Sequence, residues 1–90
     1  MKTIYFVVYL AEVSEMTDAI AEALFEAGCD GTPCSRDGLA MVQYARKANS
    51  IDDAVIPVLD EIKKAGFSFS KVEIDSESLH ELYSQARNVA

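Results

Sequence analysis

The stretch from Asp30 to Lys47, DGTPCSRDGLAMVQYARK, contains the turn that decides the fold. Its segment from Ser35 to Gly38 has the residues of a tight hairpin, because aspartate and glycine tolerate the backbone conformations that such turns require. We predict a short strand before the turn, Asp30 to Ser35, and a returning strand after it, Leu39 to Lys47. The segments on either side of this hairpin determine the order of helices and strands along the chain.

The segment before the hairpin has the pattern of an amphipathic helix. Ser14 or Thr17 can cap its start, since a side-chain oxygen there accepts a hydrogen bond from a free backbone N–H group. Gly28 is a typical stop. Apolar residues recur at helical spacing on one side. They are Met16, Ile20, Ala23, Leu24 and Ala27.

The segment after the hairpin predicts a second helix, which starts at Ser50 and stops at Gly66. Pro57 lies inside it, and proline removes one helical hydrogen bond. We therefore expect the helix either to bend at Pro57 or to begin nearer Ala54. Its expected buried residues are Val55, Val58, Leu59, Ile62 and Ala65.

Two further strands and a third helix complete the pattern. Thr3 to Ala11 is apolar on both faces, which is typical of a central strand. Phe67 to Asp75 is the last strand, and a change of phase within it suggests a bulge or a late start. Ser76 to Val89 predicts a terminal helix that either packs over the second face of the sheet or meets a partner chain. Its apolar stripe includes Leu79, Leu82 and Tyr83.

The order of these elements predicts an α+β fold. Strand, helix, strand, strand, helix and strand form the split pattern of a ferredoxin-like βαββαβ sandwich, with two helices on one face of a four-stranded antiparallel sheet. Ninety residues are enough for one such core. We predict a single domain over residues 1–90, with the core in residues 1–75 and the terminal helix in residues 76–90.

Charge limits the partners. Fifteen acidic residues against eight lysines and arginines give a formal charge of −7. Binding to DNA, RNA or an anionic membrane requires cations, so a basic protein is the favoured partner. Tyr5, Tyr9 and Tyr44 have the residue type that stacks on RNA bases, but the basic surroundings for that role are missing. We expect no direct nucleic-acid or membrane binding.

The acidic residues before the hairpin are not interspersed with bases, since no lysine or arginine lies between Lys2 and Arg36. Like charges four residues apart cost about 0.2–0.5 kcal/mol per pair, so stability does not explain the pattern. From Glu15 to Glu26 a helix would extend about 16 Å, long enough to imitate several phosphates. We predict an outward acidic face made of Glu12, Glu15, Asp18, Glu22, Glu26 and Asp30.

Motifs for nucleotide binding, metal catalysis and nucleophilic catalysis are missing from the sequence. The spacing of Cys29, Cys34 and His80 does not match a zinc site, and two cysteines do not make a disulfide framework. We therefore predict no catalytic residue, no metal and no cofactor. The longest apolar run, Ile4 to Ala11, is about half the length that crosses a bilayer, and we expect a cytoplasmic protein.

Two stretches carry a family resemblance, FEAGCDGTPCSRDGLAMVQY from Phe25 and SIDDAVIPVLDEIKKAG from Ser50. Over about Ala19 to Leu82 the chain resembles the N-terminal part of a group of small bacterial helix-turn-helix proteins, which are antitoxin-like or regulatory. In that group a DNA-reading helix-turn-helix follows, whereas here a single predicted helix does. The resemblance implies an accessory domain without the DNA reader.

These observations favour a small acidic binding protein that is not an enzyme. We expect an inhibitor that occupies a basic nucleic-acid-binding surface by charge mimicry, similar in general character to phage-type anti-CRISPR proteins. One alternative is an antitoxin-like or regulatory accessory domain that forms homo- or hetero-oligomers through Leu79, Leu82 and Tyr83. Another is a small-ligand-binding domain. The chain is expected to be a monomer or a homodimer.

Overall fold

The computed structural model describes residues 2–75 and Tyr83, which form an α+β arrangement of one open antiparallel sheet and two helices. The elements are β1 (Lys2–Leu10), α1 (Asp18–Glu26), β2 (Thr32–Arg36), β3 (Leu39–Ala48), α2 (Ile51–Lys64) and β4 (Phe69–Ile74). The predicted order of these six elements is confirmed. The strands lie in the order β2-β3-β1-β4, and each neighbouring pair is antiparallel.

The hairpin between β2 and β3 turns on two residues. Arg36 pairs with Leu39, and Asp37 and Gly38 between them have φ values of 53° and 76°. A two-residue turn with positive φ at both positions matches the right-handed twist of the strands it joins. The predicted turn is confirmed, although β2 starts at Thr32 instead of Asp30.

Both helices pack on the same face of the sheet. One hydrophobic cluster contains Leu24 of α1 and Val58 of α2 together with alternate residues of the two central strands. Because strand side chains alternate between faces, the odd-numbered residues of β1 lie on the opposite face. The strand residues of the core are Ile4, Phe6, Val8 and Leu10 of β1 and Ala40, Val42, Tyr44 and Ala48 of β3.

Helix α1 begins later than one predicted boundary. The hydroxyl of Thr17 accepts a hydrogen bond of 3.2 Å from the N–H group of Ile20, so Thr17 is the N-cap and Ser14 is not. Met16 packs against the core from the preceding loop, not from the helix. The prediction that Glu15 shares one helix with Glu26 is therefore wrong, since the extended backbone of Thr17 separates them.

Helix α2 begins at the predicted cap and continues through its proline. The Ser50 hydroxyl accepts a hydrogen bond of 3.1 Å from the N–H group of Asp53, so the alternative start near Ala54 is wrong. Pro57 is exposed, and the carbonyl that loses its helical partner therefore lies on the solvent side. Gly66 ends the helix region with φ 93°. Buried as predicted are Val55, Val58 and Ile62, whereas Leu59 and Ala65 are half-buried.

Strand β4 begins at Phe69 and contains the expected irregularity. Tyr9 pairs with Lys71 but Leu10 pairs with Phe69, which leaves Ser70 as an extra residue. Both parts of the prediction, a late start and a bulge, are confirmed. Among the described residues, no helix is long and apolar enough to cross a membrane.

The predicted terminal helix, Ser76 to Val89, lies outside the described residues except for Tyr83, which is helical and 61% exposed. Leu79, Leu82 and His80 belong to that part of the chain. What covers the second face of the sheet therefore stays a prediction.

Candidate partner-binding surface

Three carboxylates form a row on the outer side of α1. Asp18, Glu22 and Glu26, here called the acidic row, are exposed and lie one turn apart. Within residues 2–75 none of them forms an ion pair, and the last turn of α1 contains no base. Their spacing is about 6 Å along the helix axis. A DNA strand has one charge per roughly 3.4 Å, so the row has about half that linear charge density.

Two further predicted acids stand at the N-terminal end of α1. Glu12 and Glu15 are exposed in the loop that joins β1 to the helix. Glu12 has φ 61°, a left-handed conformation that turns the chain away from β1. Both acids are therefore exposed in the loop and not on the helix.

Asp30 differs from the acidic row because it forms an ion pair. Its Oδ1 atom lies 2.8 Å from Nη2 of Arg46, and the same nitrogen lies 3.2 Å from Oε2 of Glu61. The arginine side chain is only 24% exposed. Arg46 thus ties the loop before β2 to α2, and it partly neutralises Asp30, whose side chain is 70% exposed.

A buried polar cluster lies behind this ion pair. The Tyr44 ring stacks on Phe6 with centroids 5.3 Å apart, and the Arg46 guanidinium lies 5.7 Å from the Tyr44 centroid. Burial is the main cause that raises the pKa of both Tyr44 and the adjacent Cys29 thiol. The Tyr44 hydroxyl makes no hydrogen bond of ordinary geometry with the described residues. Burial of both groups in the core is typical of side chains that pack.

The position of Tyr44 favours packing over base stacking. Tyr44 lies in the core under the helices, so it is not available for a stacking platform with Tyr5 and Tyr9. Tyr5 and Tyr9 lie on the opposite face, because β1 alternates between the two. The three rings do not form one surface.

Sequence reasoning missed a cleft beside the acidic row. Phe25 is 76% exposed although Leu24 next to it is only 3% exposed. Phe25 lies at the rim of a cavity of about 190 Å³ between α1 and β2, here called the α1–β2 cleft. A helical projection would have placed Phe25 outside the apolar stripe and beside Glu22. The lining includes Ala21, Leu24, Phe25, Gly31, Pro33 and Val42.

The second face of the sheet carries a separate polar group. The Tyr9 hydroxyl donates to the Glu73 carboxylate, and this bond is the main cause that lowers the pKa of Glu73. The Lys71 ammonium lies 3.6 Å from Glu73 Oε2 and 4.6 Å from the centroid of the Tyr9 ring. A cavity of about 480 Å³ lies nearby, within the range of roughly 300–1,000 Å³ for small-molecule sites. Its lining includes Tyr5, Val7, Gln43, Glu73 and Asp75.

The described residues do not gather a metal site. In residues 2–75 and Tyr83, no group of three or more potential ligands converges. Cys29 and Cys34 are both free thiols, one buried in the core and the other half-buried on β2. His80, the third candidate ligand, lies outside the described residues.

Comparison of the chain with protein-family models, curated proteins and solved structures finds no match. The resemblance to antitoxin-like proteins and the likeness in character to anti-CRISPR proteins therefore stay predictions. The charge and shape of the described surface carry the functional argument.

Proposed function

We propose that this protein is a small, non-enzymatic binding protein that occupies a basic nucleic-acid-binding surface of a partner. The observation that carries the proposal is the acidic row, three exposed carboxylates on successive turns of α1 without a cation paired to them in the described residues. Such a row competes for the same lysines and arginines that hold phosphates. This mode of action is that of an anti-CRISPR-like inhibitor.

Electrostatics determines how this binding would behave. Complementary charges accelerate encounter and fix orientation, and salt screens them over about 8 Å at physiological ionic strength. The row is exposed, so its contribution to binding falls steeply as salt rises. Binding also removes water from the carboxylates, and the attraction to the partner's cations must exceed this desolvation cost.

The proposal includes a ferredoxin-like fold and a cytoplasmic setting. The strand order β2-β3-β1-β4, with both helices packed on one face, supports the ferredoxin-like assignment. A cytoplasmic setting is part of the same proposal, because a nucleic-acid-binding partner of this kind would work in that compartment. Two free thiols are compatible with a reducing compartment.

A matched pair of charge variants tests the proposal. Glu22→Lys with Glu26→Lys reverses the row, and Asp52→Lys with Asp60→Lys makes the same change at exposed positions of α2. Each replacement adds two charges, so both double variants change the formal charge from −7 to −3. The wild-type chain and both variants are used to capture partners from the native host at about 0.1 M and 0.5 M salt.

We expect the wild-type chain and the α2 variant to capture a basic protein at low salt and to displace nucleic acid from that protein. The row variant should do neither. Melting curves of the variants check that the difference does not come from unfolding. If the row variant captures the same partner and displaces its nucleic acid equally well, the proposal is wrong.

A second candidate is an antitoxin-like or regulatory accessory domain that forms oligomers. The exposed Tyr83, at 61%, favours it, because Tyr83 belongs to the predicted stripe with Leu79 and Leu82. Light scattering with the wild-type chain and Tyr83→Ser tests this candidate. A concentration-dependent dimer that the substitution weakens would support it, and a monomer at all concentrations would count against self-association.

A further inference from the structure

We propose that the α1–β2 cleft is an anchor site for one large apolar side chain on a cationic segment of the partner. The cationic character of that segment rests on the proposed function. The apolar anchor is a separate element of recognition, which the charge of the row does not require.

The shape of the cleft indicates an apolar side chain as its occupant. Phe25 is 76% exposed at the rim, and Leu24 and Val42 behind it are 3% and 1% exposed. Single exposed apolar residues are common, but this one borders a concave apolar surface. A volume of about 190 Å³ is below the usual range of small-molecule sites, roughly 300–1,000 Å³, and suits a single side chain.

The surroundings of the cleft indicate a cationic segment. Ala21 and Phe25 lie one turn apart at the cleft. The residues three positions before them are acids, Asp18 and Glu22, and residues at this spacing are neighbours on the surface of a helix. A segment whose apolar side chain enters the cleft therefore runs beside two unpaired carboxylates of the described surface. Aliphatic anchors flanked by lysine or arginine match this arrangement, whereas an acidic segment would be repelled.

The edge of the sheet argues against a different mode of binding. Strand β2 is an edge strand of five residues, and such strands can accept a partner strand. Pro33 lies within it and has no N–H group to donate. An anchor side chain in the cleft is therefore favoured over extension of the sheet.

Two short lysine-rich peptides test the anchor site by NMR titration. One has a central leucine and the other has serine at that position. Burying most of a leucine side chain corresponds to an affinity about tenfold higher for the leucine peptide. We expect methyl signals of Leu24 and Val42 to shift with the leucine peptide only, while amide signals of Glu22 and Glu26 shift with both.

Matched leucine substitutions locate the effect. Ala21→Leu fills the cleft, and Ala19→Leu makes the same change at an exposed position on the other side of the acidic row. Ala21→Leu should abolish the tenfold preference, and Ala19→Leu should keep it. Phe25→Ala should also reduce the preference for the leucine peptide. Because Phe25 is exposed, this variant replaces Ala21→Leu as the test if Ala21→Leu disturbs the fold.

The outcomes separate this inference from the proposed function. Equal affinities for the two peptides, both weakened by salt, would overturn the anchor site and leave the acidic row intact. A leucine preference that survives both Ala21→Leu and Phe25→Ala would overturn the assignment to this cleft. If neither peptide binds at low salt, the anchor site and the charge basis of the proposed function are both wrong.

Discussion

Replacing Tyr44 with phenylalanine should stabilise the protein. The Tyr44 hydroxyl is buried and lacks an ordinary hydrogen bond within the described part of the chain, and the weakly polar Cys29 thiol is close to it. The substitution removes this hydroxyl and keeps the ring. Stacking on Phe6, with centroids 5.3 Å apart, and the contact with Arg46 at 5.7 Å therefore persist.

The expected magnitude follows from the cost of an unpaired hydroxyl. Burying such a group without a hydrogen bond costs about 1–3 kcal/mol in proteins. The thiol offsets part of that cost, which leaves a net gain of about 1 kcal/mol for phenylalanine. For a domain of this size, 1 kcal/mol raises the melting temperature by roughly 4–8 °C.

Thermal unfolding followed by circular dichroism measures this gain. Tyr9→Phe is the matched control, because its hydroxyl is exposed and donates to Glu73. The control should not raise the melting temperature. A fall of several degrees for Tyr44→Phe would refute the argument, since it would mean that the Tyr44 hydroxyl has a strong partner such as an ordered water.

Three further results are expected. Gly31→Ala should destabilise the protein by about 1–3 kcal/mol in urea unfolding, because the added carbon would lie 2.6 Å from a buried valine methyl group; unchanged stability would contradict this. Cys34 should react with a thiol reagent in the native state much faster than Cys29, whose pKa is raised by burial. Mass spectrometry of labelled peptides measures both rates, and faster labelling of Cys29 would contradict this expectation. Tyr9→Phe should raise the lowered pKa of Glu73 toward 4.5. As the pH falls, the variant should therefore lose the stabilisation from this carboxylate at a higher pH than the wild-type chain does. An NMR titration in which the pKa of Glu73 is the same in both proteins would contradict this expectation.

The secondary structure was predictable because each element had a regular spacing of apolar residues and a residue that ends it. Asp37-Gly38 specified the hairpin, and Gly28 and Gly66 marked the helix ends, where φ is 96° and 93°. The start of α1 was less certain, since Ser14 and Thr17 are equally good caps from sequence alone. Packing of Met16 from the loop, which periodicity does not show, favours the later start.

The candidate site was predictable only in part. Acids four residues apart indicated the acidic row, but the ion pair of Asp30 depends on Arg46, sixteen positions away. The sequence did contain a hint of this ion pair, because Arg46 lies on the same face of β3 as the core residues Val42 and Tyr44. A charge on that face requires a counter-ion. The α1–β2 cleft depends on how α1 sits over β2, which no local pattern determines.

The stability of α1 shows why an uninterrupted acidic row is tolerable. The two like-charge pairs of the row cost about 0.2–0.5 kcal/mol each, and nine residues are too few for an isolated helix to be stable in water. Burying Leu24 contributes about 1.5–3 kcal/mol, and the Thr17 cap adds about 1 kcal/mol. Tertiary packing thus exceeds the repulsion on the outer face. The inner face holds the helix in place, and this leaves the outer face free to carry the acidic row of the proposed function.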